Sequence, residues 1–284
     1  DYLLLRSEDV FSENLIEEYM WVCAAEYADS AGADIINSSL GYTTFDNPIY
    51  NHTYSDMDGK TAPISIGAGI ACDKGIIVVN SAGNSGNNNW HYIGAPADHP
   101  NVLSVGAVDE NEEFSSFSSY GPNAEGFIKP NVVAQGKNTA VATSSNEVVT
   151  GNGTSFSSPI TAGMVACLWG ANPDKSPDAI KLAIYESADR YLSPDAQFGY
   201  GIPNYYDAHQ SLYYDFTIPV EITIMGDIKY SVYTIDGKII DDGVMYYNSP
   251  QDAIKIIKPT TAGVYIINLS AEAYSLSKKF IVFE

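Results

Sequence analysis

The chain has 284 residues and a mass of 30.7 kDa, room for one large domain or for a domain of about 200 residues with a small appendage, and too much for a disulfide-stapled miniature. Hydrophobic residues make up 45% and charged residues 17%, the balance of a chain that buries a core rather than staying disordered. Its 35 acids against 14 bases give a formal net charge of −21, which repels a phosphate backbone or an anionic membrane surface and sets nucleic acid aside as a partner.

In chain order, residues 2–5 read as a short buried strand. Ser12 then opens a helix with Glu17 and Glu18 in its first turns, favourable to the macrodipole, with an apolar stripe of Ile16, Met20, Cys23 and Tyr27 and with Gly32 placed to end it. Residues 34–40 form a second strand. Thr61 and Pro63 announce another helix carrying Ile66 and Ile70, stopped by Gly75 before a third strand of β-branched residues at 76–79. A fourth strand follows at 102–108. Strands this apolar, separated by helices, predict a doubly wound α/β domain whose mainly parallel sheet is covered on both faces. Ligands of such sheets sit beyond the carboxyl ends of the strands, here at 37–41 and 80–86. No run of about 18 apolar residues spans a membrane. Cys23, Cys72 and Cys167 each fall in an apolar helical stretch without a CxxC pair and read as small core residues.

After residue 212 the texture changes to strands alone. Strand patterns occur at 222–225, 230–234, 253–257, 263–269 and 279–283, with Asp236-Gly237 as a tight hairpin turn, which predicts a small C-terminal β-sandwich. Charge changes at the same place: 26 acids and 8 bases precede residue 213, and 9 acids and 6 bases follow. The chain therefore divides into domains at 1–212 and 213–284.

The segment Gly151-Asn152-Gly153-Thr154-Ser155-Phe156-Ser157-Ser158-Pro159 leads small residues into a serine at a helix N-terminus, where free amides and the dipole favour negative charge. Ala162, Gly163 and Ala166 in that helix permit close packing inside a core. Ser157 stands where a G-x-S-x-G elbow needs its second glycine, so an α/β-hydrolase is disfavoured. No G-x-G-x-x-G follows an early strand, which removes a dinucleotide enzyme. Asp56-Met57-Asp58-Gly59 begins like a calcium loop but lacks the later ligands and reads as a solvated turn, so no metal or cofactor is assigned.

Gly153-Thr154-Ser155 with Ser158-Pro159 and Ala162-Gly163 resembles the nucleophile motif of the subtilisin-like serine peptidases. Four further blocks agree in order: Asn37-Ser38-Ser39-Leu40-Gly41, Val78 to Asn84 (VVNSAGN), Phe117 to Pro122 (FSSYGP) and Lys129 to Gly136 (KPNVVAQG), and Gly199-Tyr200-Gly201-Ile202-Pro203-Asn204 with Ala208 closes the series. Asn131 and Gln135 stand where the family usually has Asp and Pro. The resemblance implies a serine endopeptidase that forms an acyl-enzyme on Ser155, with the Asn84 side chain and the Ser155 amide as oxyanion donors. Ser39, Leu40 and Gly41 on one side and Ala82 and Gly83 on the other would bracket a polypeptide substrate by strand addition, with Thr154 beside the nucleophile.

The family's Asp and His motifs are missing. None of His52, His91, His99 and His209 is followed by Gly-Thr, Asp29-Ser30-Ala31-Gly32 has one residue too many for a D-[ST]-G turn, and His91 with Trp90 and Tyr92 reads as a surface lid. The chain also starts at Asp1 without a signal peptide, so the base and its orienting acid are expected in a segment preceding Asp1, and this chain alone is expected to be inactive. The alternative is a non-catalytic surface or binding protein on a degenerate peptidase scaffold. Val232 to Lys238, Ala262 to Ile267 and Lys278 to Val282 resemble the C-terminal sorting domain of the Bacteroidota type IX secretion system, implying a bacterial protein that is secreted or held at the cell surface.

Overall fold

Residues 1–213, 226–234, 238–247, 263–271 and 274–282 are described in the structure, a computed structural model. They belong to two compact units, Asp1–Tyr213 and Tyr214–Glu284. In the first, β1 (Ile35–Ser38), β2 (Ile77–Ser81), β3 (Leu103–Val108) and β4 (Val132–Gln135) pair in that order, every pair parallel. β2 and β3 are buried along their whole length, as central strands covered on both faces must be. Successive side chains on a strand point to opposite faces. Ile76 and Val78 accordingly join a core with Trp21, Ala25, Ile64 and Ala68, whereas Ile77 and Val79 join another with Val105, Val165, Leu168 and Ile180. Thus α1 (Ile16–Ser30) and α2 (Pro63–Asp73) cover one face, and α3 (Thr154–Ala171), α4 (Pro177–Glu186) and α5 (Tyr205–Tyr213) cover the other. This is a doubly wound α/β arrangement. A two-stranded antiparallel ribbon, β5 (Thr139–Ala142) and β6 (Val148–Gly151), leads into α3.

Several sequence expectations require correction. Residues 2–5 form no strand, and Tyr2 and Leu4 are 98% and 92% exposed. A strand needs a neighbour for its amides, and the described sheet runs from β1 to β4 without this segment. The first helix opens at Ile16 rather than Ser12, and its apolar stripe faces outward: Ile16, Met20, Cys23 and Tyr27 are exposed while Glu17, Glu18, Trp21, Ala25 and Ala28 are buried. Glu17 turns inward because its carboxylate accepts from the Asp9 amide at 2.8 Å and the Asn14 amide at 3.2 Å. In α2 the buried face is Ile64, Ala68 and Ala71, and Ile66 and Ile70 are exposed. The α3 helix is buried on one side only, through Thr154, Ser157, Ser158, Thr161, Ala162, Val165 and Leu168; Gly163 and Ala166 lie on its open side. Cys23 and Cys167 are therefore exposed, and only Cys72 is half-buried, so the three cysteines are not core residues as a set.

The second unit contains one four-stranded antiparallel sheet among its described residues, in the order β10-β9-β7-β8. Its strands are β7 (Gly226–Thr234), β8 (Ile239–Tyr247), β9 (Gly263–Ala271) and β10 (Tyr274–Val282). The expected strands at 230–234 and 263–269 fall inside β7 and β9, and 279–282 inside β10. Those at 222–225 and 253–257, the Asp236-Gly237 turn and Phe283 lie outside the described residues. β8 escaped the sequence reading because Asp241-Asp242-Gly243 looks like a turn.

Candidate active site

β1 and β2 run parallel, so their carboxyl ends open on the same side, and the chain beyond them meets the N-terminus of α3. Ser39, Leu40 and Gly41 follow β1, Ala82, Gly83 and Asn84 follow β2, and all six line one cavity of about 150 Å³ together with Ser155. Thr154 does not line it; it is fully buried beneath, holding the Asn84 side chain. A larger open depression over residues 186–193 contains none of these groups.

Asn84 Oδ1 accepts from the Thr154 amide at 2.8 Å and from Thr154 Oγ1 at 3.1 Å. An amide N–H can only donate, so this contact fixes which end of the Asn84 carboxamide is oxygen and leaves Nδ2 as the donor on a side chain that lines the cavity. Thr154 Oγ1 in turn accepts from the Gly83 amide at 3.2 Å, closing a ring between the two loops. Gly83 has φ +109°, and a Cβ there would lie 2.9 Å from Ser119 Oγ, so glycine is required on both counts.

Pro159 lies inside α3 and has no N–H. The carbonyl four residues earlier, that of Ser155, is therefore not taken by the helix ladder, and it accepts from Ser39 Oγ at 2.9 Å. Ser155 Oγ makes a long reciprocal bond of 3.4 Å to the Ser39 carbonyl. One turn along, Ser158 Oγ donates to Asn37 Oδ1 at 2.8 Å. The serine at the helix start is thus fastened to the end of β1 through two side chains.

The histidines are engaged elsewhere. His52 pairs with Glu18 at 2.6 Å, His99 Nδ1 accepts from the Asn101 amide at 3.2 Å, and His209 Nδ1 lies 3.0 Å from Asn172 Nδ2. His91 stacks on Tyr120 and meets the Tyr92 ring at a tilt, with φ +45°. Asp29 pairs with Lys74 at 2.6 Å at the end of α1. Asp58 uses its oxygens on the Lys60 and Thr61 amides and the Thr61 hydroxyl, and Asp56 on Thr53. Sequence reasoning missed Thr43, Trp90, Tyr92, Gly94 and Ser119 as cavity walls. The available signal was an aromatic pair six to eight residues beyond Asn84, read only as a lid.

Residues 6–201 match the Subtilase family of peptidases, and the chain belongs to that family. Residues 215–283 match the secretion system C-terminal sorting domain. The thermophilic serine proteinase of Bacillus sp. (strain AK1) is 33% identical over 182 residues, 64% of this chain and 39% of that protein. Subtilisin DY of Bacillus licheniformis is 33% identical over 184 residues, 64% of this chain and 59% of that protein. The chain thus spans less than two thirds of the length of these curated relatives. Among solved structures, the prenylagaramide maturation protease PagA superposes with a TM-score of 0.55 at 25% identity, covering 69% of this chain and 67% of its own. MycP1 with its N-terminal propeptide removed gives 0.55 at 22% identity, covering 76% and 70%, a likeness of fold.

Proposed function

We propose that this chain carries the nucleophile half of a secreted serine endopeptidase. Ser155 Oγ attacks the substrate carbonyl and forms the acyl-enzyme, and the oxyanion is received by Asn84 Nδ2 and the Ser155 amide. The observation that supports the reading is the pair of hydrogen bonds from the Thr154 amide and hydroxyl to Asn84 Oδ1, which leaves Nδ2 as the donor on a side chain that lines the cavity with Ser155. Ser39 to Gly41 and Ala82 to Gly83 flank the substrate main chain. The base is a histidine oriented by an aspartate, both supplied by a segment preceding Asp1, because the four histidines described above are held by other partners. Residues 215–283 direct export through a type IX route, placing the protein outside the cell or on its surface in a Bacteroidota host.

The test uses the parent protein with that segment present. Ser155→Ala is expected to abolish hydrolysis of an unfolded protein substrate and labelling by a fluorophosphonate. Asn84→Ala is expected to lower turnover by about 10²–10³ with folding intact, the loss known for the oxyanion asparagine of subtilisin itself. The 284-residue chain alone is expected to show at most residual hydrolysis, restored by adding the preceding segment as a separate polypeptide. Labelling that survives in Ser155→Ala, or full activity of the chain alone, overturns the assignment.

A further inference from the structure

Asn80, the last residue but one of β2, is completely buried and does not line the cavity. The three residues before it, Ile77, Val78 and Val79, are apolar members of the two cores. Asn80 Nδ2 donates to the Leu40 carbonyl at 2.9 Å and to the Ser81 carbonyl at 2.8 Å. Carbonyls only accept, so these two bonds fix which end of the carboxamide is nitrogen. Its Oδ1 is then buried with no partner among the described residues. An unpaired buried acceptor destabilises a fold, and an apolar residue at this position would not carry that cost. What the carboxamide supplies in return is its two N–H bonds.

Leu40 belongs to the segment that follows β1, Ser81 leads into the segment that follows β2, and both segments wall the cavity. One NH₂ group therefore clamps the two walls together from beneath. It also sets which way the first wall faces. The Ser39 carbonyl meets Ser155 Oγ at 3.4 Å on the cavity side, whereas the next carbonyl, that of Leu40, is turned to Asn80. Successive peptide groups of an extended chain alternate in direction, so Gly41 faces the way Ser39 does, exposed and with no main-chain bond among the described residues. We propose that Asn80 is a positioning residue for substrate binding. By holding Leu40 inward it presents the main chain of Ser39 and Gly41 to an extended peptide, and by holding Ser81 it fixes the width of the cleft between that segment and Ala82 and Gly83. The inference rests on the function proposed above and adds to it a residue that acts only through the cavity walls. Strand addition is made by main-chain groups, so Asn80 governs how the site responds to peptide length and leaves the chemistry at Ser155 alone.

The experiment uses the parent protein with the preceding segment present and a ladder of peptides, each one residue longer on the amino-terminal side of the cleaved bond. In the unmodified protein kcat/KM is expected to climb along the ladder as added residues pair with Ser39 and Gly41. Asn80→Leu, close in shape and without N–H groups, is expected to lose roughly tenfold of that climb, mostly through KM, the size of effect that one main-chain hydrogen bond gives. Labelling by a small fluorophosphonate needs only Ser155 and the oxyanion donors and is expected to stay within about twofold of the unmodified rate. A misfolded fraction would instead lower the labelling and every peptide together. Ser104→Ala is the control. Ser104 pairs with Asn80 across β2 and β3, and its hydroxyl is equally buried and unpartnered among the described residues, but it holds neither wall. Its ladder and its labelling are expected to match the unmodified protein. If Asn80→Leu does not accumulate folded, Asn80→Ser, too short to reach Leu40, gives the same comparison. A ladder left unchanged by the substitution, or labelling that falls as far as peptide hydrolysis, overturns the role of Asn80 while Ser155 stands. An unmodified parent that neither labels nor cleaves overturns the function proposed above and this inference with it, so the two failures are distinct.

Discussion

Glu18 is a carboxylate with no exposed surface on a helix whose apolar side chains face solvent. One oxygen takes His52 Nε2 at 2.6 Å, and the other accepts from the Ile64 amide at 3.1 Å, in the first turn of α2 where unpaired N–H groups and the dipole favour an anion. A single residue thus joins α1, α2 and the 42–57 connection, whose His52 amide also donates to the Thr43 carbonyl beside the cavity. Burial pushes the His52 imidazole down, but the hydrogen bond and charge of Glu18, with Asp56 and Asp98 adding, raise it above its ordinary 6.5. A base raised on folding stabilises fully below its unfolded value and loses that contribution as pH rises through the folded one. His52→Ala is therefore expected to lower the melting temperature by several degrees at pH 5–6 and by less toward pH 9. A gap that widens with pH would refute the charged pair.

At the scale of elements, the outward faces of α1 and α3 carry Ile16, Met20, Ile160 and Met164 beside Cys23 and Cys167. In the folded chain, maleimide is expected to modify Cys23 and Cys167 at near free-thiol rates and Cys72 at least about tenfold more slowly, its thiol being raised by burial. Peptide mapping of a labelling time course checks this, and equal rates at all three would mean that α2 does not pack as described. The same faces explain what could be foreseen from the residues. Three of the four parallel strands, β1 to β3, and the stops at Gly32 and Gly75 were legible, because β-branched runs and positive-φ glycines report on local backbone, whereas β4 was seen only as part of a motif. Helix orientation was not. Periodicity counts apolar side chains, and in α1 the inward face is set by partners 34 and 46 residues away, His52 and Ile64, which no local window contains. The site residues were readable as short motifs, while Thr43, Trp90 and Tyr92 were not, since a cavity wall formed by crossing loops leaves no spacing to detect.

On the scale of the whole molecule, two units with unlike secondary structure and unlike charge share one chain. Removing residues 214–284 is expected to leave the tryptophan-monitored melting of the first unit unchanged, while in a native host the shortened protein stays in the periplasm. Normal levels of the shortened protein in the medium would refute the sorting role, and a lowered melting temperature would refute the independence of the units. The contacts that hold Ser155 and Asn84 have a consequence for timing. Ser39 meets Ser155 across 116 positions, Thr154 meets Asn84 across 70, and Ser158 meets Asn37 across 121. Contacts so distant along the chain require closing long loops and pairing parallel strands, the slow steps of folding. A chain still emerging from the ribosome keeps Ser155 and Asn84 apart until its hundred-and-fifties have found its thirties and its eighties, so this cavity comes into being only once nearly all of the first unit has been made.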